Sequence, residues 1–481
     1  MTVRHIERGL DEIVESIRAA GVGTEDSLVV PTVRVGGVTI DSRRCGPRDL
    51  FVCIPGRHHD GHDHAHEAIA SGALALVVEH ALDIDAPQII VESSRRAIGP
   101  IAACIHGDPS LRTPVIGVTG TNGKTTVTAM VASVLESAGR PTSVIGTLNG
   151  RLTTPEAPDL QRLIAEAADA GRTVVMEVSS HALAEHRVDA IRFEVAAFTN
   201  LGRDHLDLHG TMEEYFRVKA SLFTDREPRV SVINEGDTYG RLLADTIEGS
   251  DRTMLVRVNP DQIGQIEMGP HGSSFDLDHR RWTVPLAGRP HVENALIAIG
   301  VCRSLGLDDE TIADGLSSMP PVPGRLEVIR SEDRDVEVIV DFAHTPDALD
   351  ALIDTCREIA PDRELILVFG CGGDRDRAKR PEMGRVGCAA DRVVLTSDNP
   401  RSEDPATIIE QILLGISAPD RDRVTVIVDR GVAIRSVVAD APAHSLVVVA
   451  GRGHERVQDV GGSLVEFDDR QVVRSALGGP E

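Results

Sequence analysis

The stretch Gly117-Val-Thr-Gly-Thr-Asn-Gly-Lys-Thr-Thr126 constrains this chain more than any other. It follows the apolar run Val115-Ile116 and leads into the helix-like segment 127–137, so it reads as strand, glycine turn and helix start. In that context the turn and the helix N-terminus turn backbone N–H groups toward an anion. Lys124 adds a point charge, and the Thr125 hydroxyl can ligate Mg²⁺. The spacing Gly120-x-x-Gly123-Lys124-Thr125 fits a nucleoside triphosphate, although Val118 stands where the eight-residue phosphate-loop pattern has its first glycine.

A chain of 481 residues is too long for one hydrophobic core and suggests about three domains. Proline-rich punctuation at 109–114 and at Met319-Pro-Pro-Val-Pro-Gly-Arg325 reads as two linkers, giving expected domains 1–110, 111–322 and 323–481. Aromatic residues are 2% of the chain, so the cores must be built from Val, Leu, Ile and Ala. The formal charge of −25 argues against non-specific binding of nucleic acid or anionic membrane, so an anionic ligand must be held by local donors. Seven scattered cysteines never form C-x-x-C, which favours a reducing compartment over a disulfide scaffold or structural zinc. With no charged-then-apolar leader and no run of eighteen apolar residues, a cytoplasmic location is expected.

The front of the chain reads as a small α/β unit: a helix over 6–20 ended by Gly21, strands over 33–41, 49–54 and 74–79, and a helix over 65–71. Residues 58–66 hold five histidines. A metal site is the sharper reading and a solvated polar loop the blander, and the lack of regular i, i+4 pairing or a joining cysteine favours the loop. From 115 to 234 strand-like and helix-like runs alternate, which predicts a parallel sheet with ligands at its carboxyl ends. Glu177 closes such a strand and can hold Mg²⁺ opposite Thr125, His205 follows the strand 196–200, and Lys219 lies on the helical stretch 212–223. Beyond 325 the rhythm restarts as a doubly wound third unit. Its strand-end loops carry Phe369–Asp376, Asp398-Asn-Pro-Arg401 and Gly451-Arg-Gly-His-Glu455, and Arg380 and Arg401 supply guanidinium forks for a carboxylate.

Taken together these segments resemble the Mur ligase family over nearly the whole chain. The resemblance rests on Asp41-Ser-Arg43, Asp60-Gly-His62, 117–126, Thr153-Thr-Pro155, 177–183, 199–210, Gly324-Arg325, 340–349, 370–381, 398–401 and 451–455, with order and spacing both in agreement. It implies three α/β domains: a small N-terminal one for a UDP-linked substrate, a central phosphate-loop ATPase domain, and a C-terminal Rossmann-like domain for an amino acid. The implied activity is ATP-dependent amide ligation through an acyl phosphate. More narrowly, it implies addition of meso-2,6-diaminopimelate to UDP-N-acetylmuramoyl-L-alanyl-D-glutamate, with ATP and Mg²⁺ as cofactors, no nucleic-acid or membrane partner, and a monomeric enzyme.

The resemblance also implies roles. Gly120, Thr121, Asn122, Gly123, Lys124, Thr125 and Thr126 would cradle the triphosphate, with Asn294, Arg325, Asp341 and His344 around the rest of the nucleotide. Thr125 and Glu177 would hold one Mg²⁺, and His205 with Lys219, carbamylated to N6-carboxylysine, a second. Ser42, Arg57, His58, His59, Thr153, Thr154, Ser179 and Arg187 would surround the UDP-sugar and its peptide, which recasts the histidine-rich loop as a uridine wall. Arg380, Asp398, Asn399, Pro400, Arg401, Gly451 and Glu455 would form the amino-acid pocket, with Arg401 pairing the distal carboxylate that lysine lacks. The chain departs from the family pattern at Glu185, Gly202, His291, Phe342 and Arg452, where glutamine, serine, asparagine, tyrosine and lysine are usual. An added carboxylate at Glu185 is expected to repel an anionic substrate. Competing readings are a lysine-adding or folylpolyglutamate-type ligase, a non-catalytic scaffold, and a simple phosphate-loop kinase.

Overall fold

A computed structural model describes residues 7–25, 33–56, 59–269, 272–331 and 335–478. Strands Gly37–Thr39, Asp49–Val52, Ala75–Val78 and Gln88–Ile90 lie side by side in chain order as a parallel sheet. Because side chains alternate across a strand, Leu50 and Val52 pack with helices Leu10–Ala19 and Ser94–Ile105, while Phe51 and Cys53 meet Ala65 and Ala68 of helix Ala65–Ala70 on the other face. The first helix begins later than its apolar pattern suggests. Arg8–Gly9 pairs antiparallel with Arg34–Val35, and Gly9 is the extended N-cap. Of the histidine-rich loop, His62 is buried with both ring nitrogens engaged, by Asp60 at 2.6 Å and by the Glu79 N–H at 3.0 Å, and it stacks on His80. His59 is exposed, and Arg57 and His58 lie outside the described residues.

The central sheet has six parallel strands in the order Met254–Val258, Val230–Asn234, Val195–Phe198, Val115–Thr119, Thr173–Glu177, Thr142–Ile145. Both faces are covered by helices, which is why these strands read as unbroken apolar runs. After the phosphate-loop strand the chain builds toward one edge, then returns to add Val195–Phe198 on its other side. The crevice between those two strands is therefore the switch point where α/β sheets bind ligands. A three-stranded antiparallel sheet, Ile266–Gly269, Gly272–Leu277 and Arg280–Val284, escaped the sequence reading despite clear signals. Phe275, Leu277, Trp282 and Val284 alternate inward, and Asp278-His279 both take positive φ, as a tight hairpin turn requires.

The C-terminal sheet runs Glu327–Arg330, Val336–Asp341, Ser445–Ala450, Glu364–Phe369, Arg392–Leu395, Val424–Val426, parallel except for its first edge strand. Neither stretch read as a linker is an open tether. Pro109 and Ser110 are buried in a 3₁₀ turn, Thr113 donates to the Arg172 carbonyl at 2.6 Å, and Met319 and Val322 belong to the central core. Front and centre are further joined by a bidentate pair, Arg44 to Asp159, at 2.9 Å for both bonds. Among the described residues no helix is long and apolar enough to cross a membrane.

Candidate active site

The strand Val115–Thr119 ends at the carboxyl edge of the central sheet, and the helix Lys124–Ser137 starts after the four-residue turn 120–123. The intervening turn is pinned to its neighbour strand's loop: Thr121 N–H donates to the Asn200 carbonyl at 2.9 Å and Asn122 N–H to Asn200 Oδ1 at 2.9 Å. Gly123 has φ +84°, and a Cβ there would collide with Asn294 Oδ1. Gly123→Ala is therefore expected to cost about 1–3 kcal/mol of stability from backbone strain alone. Denaturant titration together with the ATP KM checks this, and unchanged values in both would refute it.

Three basic groups converge on the loop. Lys124 Nζ donates to the Gly120 and Thr121 carbonyls at 2.8 and 2.9 Å, and Lys219 Nζ donates to the same Gly120 carbonyl at 2.9 Å. Two ammonium groups on one carbonyl repel each other. Burial first, and then the Lys124 charge, push the pKa of the fully buried Lys219 well below the ordinary lysine value, so its proton is the more easily lost. Its helix, Met212–Thr224, is capped by Thr211, whose hydroxyl accepts from Glu214 N–H, and Lys219 falls on the inward face beside Tyr215. The third group, Arg325, donates to Thr125 Oγ1 at 3.2 Å and lies 4.5 Å over the Phe342 ring.

Glu177 is buried at the end of its strand, with both carboxylate oxygens 3.1 Å from Thr125 Oγ1; Thr147 donates to them from its N–H at 2.9 Å and its hydroxyl at 3.1 Å. This hydroxyl and carboxylate are hard oxygen donors beside the triphosphate turn, so the set fits Mg²⁺. Deeper in, His205 is held at φ +54° beside Asp204 (3.3 Å), with His181 edge-on at 4.9 Å. Burial drives His205 toward its neutral form, which leaves a ring nitrogen able to ligate; the Asp204 carboxyl, pushed up by burial, is pulled down further by the Lys379 charge and by the His205 N–H at 2.9 Å, and stays ionised.

The cleft over these groups has a volume of about 1210 Å³, and its far wall comes from the C-terminal unit: Asp341, His344, Arg375, Asn399, Arg401 and Glu455. Residues 34–117, 118–302 and 324–453 match, respectively, the family models described as Mur ligase family, catalytic domain; Mur ligase middle domain; and Mur ligase, glutamate ligase domain. The UDP-N-acetylmuramoyl-L-alanyl-D-glutamate--2,6-diaminopimelate ligases of Geobacillus thermodenitrificans and Streptomyces coelicolor are each 41% identical to this chain. Those alignments cover 91% of it and 94% of the first relative, and 93% of both chains for the second. The chain belongs to the Mur ligase family. A solved structure titled as the same ligase is 32% identical, with TM-score 0.68 over 98% of this chain and 99% of the other. MurF from Acinetobacter baumannii, at 18% identity and TM-score 0.69 over 99% and 100%, shares the fold.

On this Mur ligase fold the residues expected around the nucleotide meet at the cleft. Asn294 backs Gly123, and Asp341 accepts from the Leu326 and Ala343 N–H groups, both at 2.7 Å. His344 stands at the start of the helix Pro346–Ile359, which Thr345 caps, and its Nδ1 donates to the Phe342 carbonyl, 2.8 Å away. Thr153, Thr154, Ser179 and Arg187 line the cleft's front end, tied together by Thr154 Oγ1 to the Glu177 carbonyl (2.8 Å) and Arg187 to the Thr154 carbonyl (3.1 Å). Ser42 and His59 do not line this cavity; the Ser42 hydroxyl donates to Glu67 at 2.7 Å.

Two expectations need correction. Arg380 is not a free fork: it is fully buried, with its guanidinium donating to both Glu403 oxygens at 2.9 and 3.0 Å, to Gln411 and to the Gly372 carbonyl, so it shapes the loop instead of facing the cleft. Glu185 does not present a bare charge either. Arg95 pairs with it at 3.3 Å and with Glu156 at 2.9 Å, and Glu156 pairs in turn with Arg187 at 3.0 Å, so the added carboxylate is neutralised by an arginine 90 positions earlier. Sequence reasoning missed Thr147, Asn200, Asp204, Tyr215 and Arg375. Each sits in a strand-end loop or beside a named residue, which was the available signal.

Asp398, Asn399, Pro400 and Arg401 form a turn that the hairpin Val457–Val460/Ser463–Glu466 grips. Asn399 Oδ1 accepts from Asp459 N–H at 2.9 Å, Arg401 N–H donates to the Asp459 carbonyl at 3.0 Å, and Gln458 donates to the Asp398 carbonyl. Arg401 takes φ +52° and spends one N–H on the Gly373 carbonyl at 2.7 Å. Gly451 has φ +115°, and a Cβ would crowd Asp398 Oδ2. Glu455 accepts from Asn399 Nδ2 at 2.7 Å.

Proposed function

We propose that the protein is the ATP-dependent ligase that joins meso-2,6-diaminopimelate to UDP-N-acetylmuramoyl-L-alanyl-D-glutamate in peptidoglycan precursor synthesis. The observation that carries this reading is the single cleft in which the triphosphate turn of the middle unit faces Arg401, Asn399 and Glu455 of the last. The substrate's free carboxylate attacks the γ-phosphorus of ATP, and ADP leaves. The amino group, having lost a proton, then attacks the acyl carbon of the resulting acyl phosphate and expels inorganic phosphate. Phosphorylation is needed because a carboxylate is a poor electrophile.

The turn 120–126 binds and orients the phosphates, and Lys124 offsets charge on the moving phosphoryl group. Thr125 and Glu177 hold Mg²⁺, which when bound offsets phosphate charge. Lys219, as the neutral amine, takes up CO₂ with loss of a proton, and its carbamate completes a second site with His205. Asn294, Arg325, Asp341 and His344 enclose the nucleoside side. Thr153, Thr154, Ser179 and Arg187 hold the peptide end of the UDP-substrate, whose uridine end extends toward Ser42 and the loop at 57–59. In the amino-acid pocket Asp398, Asn399, Arg401 and Glu455 act directly, Pro400 and Gly451 shape the turn, and the protein acts as a cytoplasmic monomer. The deciding experiment supplies ATP, Mg²⁺ and the UDP-muramoyl dipeptide with an equimolar mixture of diaminopimelate, lysine and glutamate, and weighs the product by mass spectrometry. The diaminopimelate adduct is expected with one phosphate released per product; a lysine or glutamate adduct in equal or greater yield would refute the specificity.

A further inference from the structure

Beneath the loop 451–455 lies a charged cluster for which the reaction above has no use. Arg452 is fully buried. Its Nη2 donates to the Val457 carbonyl at 2.6 Å and to the Phe467 carbonyl at 3.2 Å, and its guanidinium lies 5.0 Å over the Phe467 ring. Its Nε and Nη1 have no hydrogen-bond partner among the described residues. The nearest anions are Glu455, 3.6 Å from Nε, and Asp469, 3.7 Å from Nη1.

Asp469 is already matched. It is fully buried and takes a bidentate pair from the equally buried Arg430, at 2.8 and 2.7 Å. The remaining buried positive charge therefore falls to Glu455, whose carboxylate lines the cleft and is fastened at 2.7 Å to Asn399. A guanidinium cannot shed its proton, so it is a permanent counter-charge.

Granting the ligase reading, we infer that Arg452 is a positioning residue of the amino-acid pocket: it holds Glu455 as a carboxylate beside Asn399, ready for the distal ammonium of the incoming diamino acid. Arg401 then takes the carboxylate of the same end, so an α-amino-acid head meets one fork and one anion. The need for such support is physical. Burial, and then the neighbouring Asp398 charge, push the Glu455 pKa up, while the Asn399 bond, Arg452 and Arg401 pull it down; Arg325 and Arg430 are the other charges facing it. Without Arg452 the raising influences gain, and Glu455 takes a proton at higher pH.

The test is the pH dependence of the diaminopimelate KM and kcat in the full-length enzyme. Wild type is measured first, so that failure to use diaminopimelate defeats the functional reading and leaves this one aside. In Arg452→Gln, which keeps a donor for the Val457 carbonyl but no charge, the acid-side rise in KM is expected to move to higher pH. KM at pH 7 should rise about tenfold while kcat stays within twofold. Arg452→Lys is expected to restore the wild-type profile. A glutamine profile that superimposes on wild type, a lysine variant shifted as far as glutamine, or a fall in kcat equal to the rise in KM would overturn the inference. Should Arg452→Gln fail to fold, Arg452→Met takes its place with the same outcomes.

Discussion

Lys124→Ala is expected to lower ATP-dependent product formation by at least about 10³-fold, some 4 kcal/mol of transition-state stabilisation, while leaving the melting temperature unchanged or higher. The asymmetry follows from where the charge sits. Lys124 opens the helix Lys124–Ser137 and spends its ammonium on two loop carbonyls, and burial pulls its pKa down, so the folded protein bears a cost in holding it. A desolvated cation recovers that cost when negative charge spreads over a transferring phosphoryl group. Alanine removes the cost and the benefit together. Phosphate release with the UDP-substrate and diaminopimelate, beside a thermal melt, reads both. Activity within tenfold of wild type would defeat the assignment, and a matching collapse in melting temperature would turn it into a structural role. Lys219→Ala should resemble it in activity, because the same Gly120 carbonyl joins the two sites.

Arg401→Ala is expected to raise the KM for diaminopimelate about 10²-fold, near 3 kcal/mol, and to leave the rate with saturating ATP in the absence of amine unchanged. The residue's backbone is held left-handed, between the Asp459 carbonyl and the Gly461 N–H, so the side chain cannot be re-aimed by its neighbours. Lysine carries no second carboxylate, and its poor use should be almost insensitive to the change; the preference for diaminopimelate over lysine is therefore expected to collapse with KM. Arg401→Lys should recover little, since an ammonium cannot reproduce a planar fork already bonded to Gly373. Competition assays with both amines decide this, and a preference that survives in Arg401→Ala would place the distal carboxylate elsewhere.

Much of this enzyme is written locally. The strand, glycine turn and helix start at 115–137, the βα rhythm on either side of residue 325, and the caps Thr211 and Thr345 depend on near neighbours in the chain, so periodicity and turn chemistry suffice to place them. The antiparallel sheet 266–284 is equally local: Phe275, Leu277, Trp282 and Val284 alternate with outward Ser274, Asp276, Arg281 and Thr283. Partner choice is another matter. Arginines 380 and 401 look alike as sequence, yet one is fully buried against Glu403 and the other opens on the cleft, because the helix Pro405–Leu413 brings Gln411 over the first. Glu185 looked repulsive until Arg95 was brought to it, and the sharing of one carbonyl by Lys124 and Lys219 joins residues 95 positions apart. The sequence by itself determined which groups the chain carries and which turn has the phosphate-loop pattern. Tertiary structure alone decided which charges are paired, buried or free, since desolvation and Coulomb terms depend on distances that no spacing along the chain sets.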